Sequence, residues 1–265
     1  MERLMVIKLA VQGCTAEAWL NGLPMARVTP LAPQAVVPVH EAAIAGANQL
    51  ELVVGPDSGA AKAAALLQTA PHAVVAQVHL LLPRVGGAID EAQARTLAKL
   101  EWTCAAGEPL SLPARQRQVV DLAIRFPRWR WLDAPMVHPT PALTQQAHAF
   151  IFGLARDLAR GQTDSFLAAT RLRTEELALA YQRSPESETI RLREWLEQMY
   201  ASSRLVWRPL APEELQLRLL ADSRLLECLG ADGGAALTTM PDKVGNILAL
   251  PLRLSVVEDR FYVLR

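Results

Sequence analysis

Cations and aromatics alternate in Arg125-Phe126-Pro127-Arg128-Trp129-Arg130-Trp131. Side chains of this kind, at Arg125, Arg128, Trp129, Arg130 and Trp131, can stack on bases or sugars or anchor a protein interface. Balanced charge around the run favours protein over nucleic acid. The competing reading is an edge strand whose tryptophans fill the contact with a second domain. Histidines stand at 40, 72, 79, 138 and 148, with no pair at the i, i+4 spacing of a helical zinc site. His79, within an apolar run, reads as a core imidazole. His148 reads as a solvated residue on the polar side of a helix. Glu175-Glu176 and Glu213-Glu214 are adjacent, so their carboxylates diverge and form no helical pair. The chain has no Gly-x-Ser-x-Gly, no P-loop and no Gly-x-Gly-x-x-Gly. Gly230-Ala231-Asp232-Gly233-Gly234 reads as a turn. No catalytic residue, metal site or cofactor is expected.

Composition narrows the classes further. The chain has 265 residues, is 51% hydrophobic and carries 27 basic and 27 acidic residues. Residues 1–139 hold 12 basic and 11 acidic residues, leaving 15 and 16 for the rest. Neither half has the basic excess that phosphate neutralisation requires, so no nucleic-acid partner is expected. Arginine outnumbers lysine 23 to 4. With the richness in Ala and Leu, this reads as the habit of a GC-rich bacterial genome. Cys14, Cys104 and Cys228 form no CxxC, and Cys104 and Cys228 sit in apolar strand patterns as buried thiols. The first residues show no signal-peptide pattern, and no apolar run approaches the roughly 18 residues that span a bilayer. A cytoplasmic protein without membrane insertion is the expectation.

The elements that must position these residues fall into two groups. Residues 1–135 read as β. Asn21-Gly22 lies between apolar runs and predicts a two-residue hairpin with positive φ at both positions. Gly46-Ala47-Asn48 feeds a strand in which Leu50, Leu52 and Val54 share a face. Further strands are predicted over Met5–Val11, Thr15–Leu20, Met25–Val28, Ala35–Val39, Ala73–Leu82, Thr96–Cys104 and Gln118–Phe126. Such short strands with Gly and Pro between them indicate a sandwich or jelly roll. Ser58–Gln68 is Ala-rich and reads as a short helix or a loop. Three prolines in residues 134–142 predict a linker, placed at 136–143.

From 144 to 265 the pattern becomes α+β. Ala147, Phe150, Ile151, Leu154, Ala155 and Leu158 line one face of a helix over Thr144–Arg160. A second helix is expected from Asp164. A third begins at Ser184-Pro185, a cap followed by proline at the first helical position. Strands follow over Arg204–Arg208, Leu215–Leu220, Leu225–Leu229 and Ala235–Met240. A long alternation over Asn246–Val257 turns at Glu258–Arg260 into a last strand.

The run Trp19-Leu20-Asn21-Gly22, with Gly46-x-Asn48-x-Leu50-x-Leu52-Val53-Val54 after it, resembles the galactose-binding-like jelly roll appended to many glycosidases. That superfamily often uses the domain as a scaffold, so no sugar-binding residue is implied. The order of three helices and a bent sheet after residue 140 resembles the NTF2-like cone. That resemblance implies an inward Asp or Tyr as a possible general base, for which Tyr181, Asp222 and Tyr262 are the candidates. It also implies pairing of two copies through the C-terminal sheet, although cover by the helices would explain the same apolar face.

Two scaffold-like halves without a catalytic constellation point to a non-catalytic module that binds another protein, as an adaptor or a toxin-neutralising immunity-type protein. The alternatives are carbohydrate binding by the sandwich, and a small-molecule binder or enzyme that uses the cone. The last requires a pocket of about 300 Å³ or more with a few convergent polar groups.

Overall fold

A computed structural model describes residues 4–55, 68–70, 72–83, 93–124, 126–258 and 260–265. The described residues are mostly β-sheet with three α-helices, an α+β composition. It divides into two compact units, Met1–Arg128 and Trp129–Arg265. The expectations for 58–67 and for Arg125 lie outside the described residues.

The first unit carries β1 (Val6–Gln12), β2 (Ala16–Leu20), β3 (Leu23–Val28), β4 (Gln34–Pro38) and β5 (Gly46–Val54). It continues with β6 (Gln68–Thr69), β7 (Val74–Leu82), β8 (Arg95–Cys104), β9 (Pro109–Leu110) and β10 (Ala114–Leu122). Two four-stranded sheets, ordered β4-β1-β7-β8 and β10-β5-β2-β3, pack against each other, and β6 pairs with β9. Ile7 and Leu9 stand opposite Leu80 and Val78 across the first sheet. Leu50, Leu52 and Val54 stand opposite Leu20, Ala18 and Ala16 in the second, and all six are buried. The predicted alternation of β5 is therefore its core register. A one-residue slip would move every one of these side chains to the other face of the sheet. The opposite face of β2 and β5 is buried as well. There Glu17 accepts from Trp19 Nε1 at 3.1 Å, and Glu51 pairs with Arg115 at 2.7 Å and Arg117 at 3.0 Å.

The two turn signals join in space. Asn21 and Gly22 take φ of 52° and 76° and connect Leu20 directly to Leu23. The Asn21 amide then reaches across to the Gly-x-Asn turn, donating to Asn48 Oδ1 at 2.7 Å and to the Ala42 carbonyl at 2.8 Å. Asn21 Oδ1 accepts from the Gln49 N–H at 2.9 Å. Asn48, only 1% exposed, also accepts from the Ile44 N–H at 2.9 Å. It donates to the carbonyls of Ile44 and Gly46 at 2.8 and 2.7 Å. These side-chain amides satisfy backbone groups that the turn leaves outside the ladder.

The second unit carries α1 (Pro141–Leu158), α2 (Asp164–Ala180) and α3 (Pro185–Ala201). Its strands are β11 (Gln216–Leu220), β12 (Leu225–Leu229), β13 (Leu237–Thr238), β14 (Ala249–Leu250), β15 (Arg253–Val257) and β16 (Arg260–Val263). Thr140 Oγ1 caps α1 by accepting from Leu143 N–H, and Ser184 Oγ caps α3 by accepting from Ser187 N–H, each ahead of a first-turn proline. The sheet runs β11-β12-β15-β16 with antiparallel neighbours, and β13 pairs with β14. Ile151 and Leu154 of α1, Phe166 of α2 and Leu196 of α3 share one core with Leu226 and Leu254 of the sheet.

Two expectations are corrected here. The alternation over Asn246–Val257 is two strands, because Pro251 has no N–H to continue a ladder. Arg204–Arg208 is no strand; Trp207 makes a single bridge to Thr239. The contact boundary falls before Trp129, so the Pro-rich segment 134–142 belongs to the second unit. Leu252 and Leu254 of the late alternation belong to the core that the helices share.

Replacing Asn48 by Ala strands several buried backbone groups, and urea unfolding is expected to show a loss of about 3 kcal/mol. A loss below about 1 kcal/mol would mean that the two turns hold without the amide bridge.

Candidate functional site

Trp129, 0% exposed, and Trp131 lie inside the second unit. Residues Arg130–Asp133 form a short 3-10 turn and not the expected edge strand. The reason is a buried carboxylate. Glu176 on α2 accepts from the Arg130 N–H at 2.6 Å and pairs with Arg265 Nη1 at 2.5 Å. The Arg265 guanidinium in turn lies 5.7 Å from the centre of the Trp129 ring. A carboxylate in an apolar interior requires such partners. Arg130 itself reaches outward to Glu175 at 2.9 Å. Arg128 is exposed and belongs to the first unit.

The cone candidates lie on three different elements. Tyr181 caps the end of α2 with Arg183 over its ring at 5.9 Å. Asp222 is exposed, with φ of 53°, in the turn between β11 and β12. Tyr262 is a half-buried residue of β16 opposite Ser255.

The feature that sequence reasoning missed is a cleft of about 520 Å³ in the second unit. One wall is α1, through Ile151, Phe152 and Ala155; the other is the segment 205–210, with Leu237 of β13 at its base. His148 lines it too and is not solvated as expected. Its Nε2 donates to the Leu210 carbonyl at 2.8 Å, and its ring stacks on Phe152 at 6.4 Å. That proton is committed to the carbonyl, and among the described residues the lining holds no carboxylate, hydroxyl or thiol side chain. Trp207 adds a buried indole N–H with no hydrogen-bond partner among the described residues.

Apolar side chains continue onto the surface beside it. Phe152 is 60% exposed and Val206 57% exposed. Met240, also exposed, is joined to Val206 by a backbone bond of 2.7 Å. Beyond it, Asp242 organises a tight loop. Its carboxylate accepts from the N–H groups of Asn246 at 2.8 Å and Val244 at 3.0 Å, and from the Asn246 amide at 3.0 Å. The loop presents Val244 and Ile247 to solvent. The Asn246 bonds hold the Asp242 carboxyl below the usual range for aspartate, with smaller help from the Val244 N–H and Arg204.

The three cysteines are free and buried. Burial pushes the Cys14 thiol up to about 11 and the Cys228 thiol higher still, with the Glu227 charge adding to the second. No cluster of three or more His, Cys, Asp or Glu side chains suited to a metal ion occurs among the described residues. No described helix is long and apolar enough to cross a membrane. No protein-family model matches the chain, and neither a curated protein nor a solved structure matches it significantly.

One signal for the cleft was present in the sequence. Phe152 is a large apolar residue off the buried stripe of its helix, where solvent would otherwise be met.

Trp129→Ala is expected to lower stability by about 3–5 kcal/mol in thermal or urea unfolding, through the cavity it leaves. Full stability would show that the indole is not the packing anchor. For Asp242 the depressed carboxyl contributes order that is complete above the ordinary carboxylate range. That order is lost as pH falls through the depressed value. The Val244 and Asn246 amide resonances should therefore titrate together below the usual aspartate range, and Asp242→Ala should abolish that titration. Resonances that stay fixed would remove the carboxylate from the loop's support.

Proposed function

We propose that this chain is a non-catalytic protein-binding module whose recognition surface is the cleft between α1 and residues 205–210. The observation that carries this reading is the junction of a roomy apolar cleft with exposed Phe152 and Val206 at its mouth. Contiguous exposed apolar surface on a soluble domain marks an interaction site. The finer fold reading goes with it: a galactose-binding-like jelly roll as scaffold, and an NTF2-like cone as the binding half. Element order and the Asn-Gly and Gly-x-Asn turns support that assignment. An adaptor or an immunity-type protein of a bacterial cytoplasm is the role this reading suggests, and three free thiols suit a reducing compartment.

A second reading has an observation of its own. The cleft exceeds the roughly 300 Å³ that a small ligand needs, so a small-molecule binder would use the same residues. Carbohydrate binding by the sandwich has less behind it, since Trp19 is buried and its N–H is held by Glu17.

The test is affinity capture of the tagged protein and of two variants, read by mass spectrometry. Phe152→Asp should abolish capture of a stoichiometric partner. Leu179→Asp, on the exposed side of α2 and outside the cleft lining, should leave it unchanged. Equal capture by all three forms would overturn the assignment of this surface.

A further inference from the structure

We infer that the cleft receives an acidic amphipathic helix of the partner, with apolar side chains on the cleft floor and carboxylates on its banks. This inference names the partner's chemistry and rests on the reading of the cleft as a docking surface.

Charge carries the argument. The charged and titratable residues that line the cleft are His148, Arg156 and Arg208, with no carboxylate among them. Arg156 stands on the α1 wall and Arg208 on the opposing segment, so basic groups occur on both walls of the apolar floor. Each has a carboxylate neighbour outside the lining, Asp157 at 3.2 Å and Asp232 at 3.4 Å. Both arginine side chains are half-exposed. Ion pairs of this kind contribute about 1 kcal/mol or less, so an arriving carboxylate can share or displace the neighbour. Arginine retains further N–H donors for such a second acceptor.

Spacing decides the form of the occupant. His148, Phe152 and Arg156 follow one another at i, i+4 and i+8 along α1, a single row on one helix face. Neighbours in that row are separated by about 6 Å along the axis. A second helix presents its own i, i+4 rows at the same interval, which is the basis of ridge-into-groove packing. An amphipathic helix laid in an apolar groove, with its charges meeting the rim, uses the exposed Phe152 as a ridge contact. A basic or neutral helix of the same shape would leave Arg156 and Arg208 without a new partner.

Two labelled synthetic peptides test this by fluorescence anisotropy on the full chain. Both carry Leu and Phe at the same i, i+3, i+4, i+7 positions; one has Glu at the flanking positions and the other Lys. The Glu peptide should bind about tenfold or more tightly than the Lys peptide at low salt, with the gap closing as salt rises. Arg156→Glu combined with Arg208→Glu, both on exposed side chains, should reverse the preference. Phe152→Asp should abolish binding of either peptide, with unfolding curves confirming that each variant is folded. Equal binding of the two peptides, lost in Phe152→Asp, would overturn the charge inference and leave the docking surface standing. Binding of neither peptide would overturn the inference. If dodecanoate then raised Tm in the wild type and not in Phe152→Asp, the cleft would be a small-molecule site and the docking reading would fall with it.

Discussion

Glu176 is an ionisable group inside the second unit, and a buried carboxylate is tolerated only when its partners are close. It draws together three remote parts of the chain: the turn at Arg130, helix α2 and Arg265, two residues beyond the last strand. Trp129 then lies against the arginine that neutralises it. The residues that most resemble a recognition motif are thereby occupied in closing the fold. The helix layer lies against the sheet through α2 and β16, and α1 shares the same core.

The first unit meets its own polar requirement with neutral groups. Asn21 and Asn48 satisfy each other and the backbone of the turn between Ala42 and Gln49. Charged side chains serve the opposite face, where Arg115 and Arg117 on β10 neutralise Glu51 on the neighbouring β5. Buried Glu227 in the second unit does the same with Arg218 and Arg253 across β11, β12 and β15. Arginine suits these sites because its planar fork donates several hydrogen bonds while staying charged. The preference for arginine over lysine, a compositional habit at first sight, thus supplies the partners of the buried carboxylates.

The cleft is a different kind of feature. Its floor is the edge of the core, and its mouth exposes aromatic and aliphatic side chains that the core does not use. His148 is held there by a backbone carbonyl, which fixes its tautomer and steadies the stacked Phe152.

Local signals determined the elements. Asn21-Gly22 requires positive φ, Ser184-Pro185 caps and starts a helix, and the period of Leu50, Leu52 and Val54 selects a face. Each of these is settled within a few residues, so the two groups of elements and the first core were legible in the sequence. Pro251 was legible too, yet the alternation of leucines around it concealed the break between β14 and β15. What only the tertiary structure decided is which apolar and charged residues remain outside. Trp129 lies against Arg265, the partner of Glu176 over forty positions on, while Phe152 was left at the surface beside a segment over fifty positions on. Burial is a property of segments brought together from far along the chain, and periodicity within one segment carries no information about that partner.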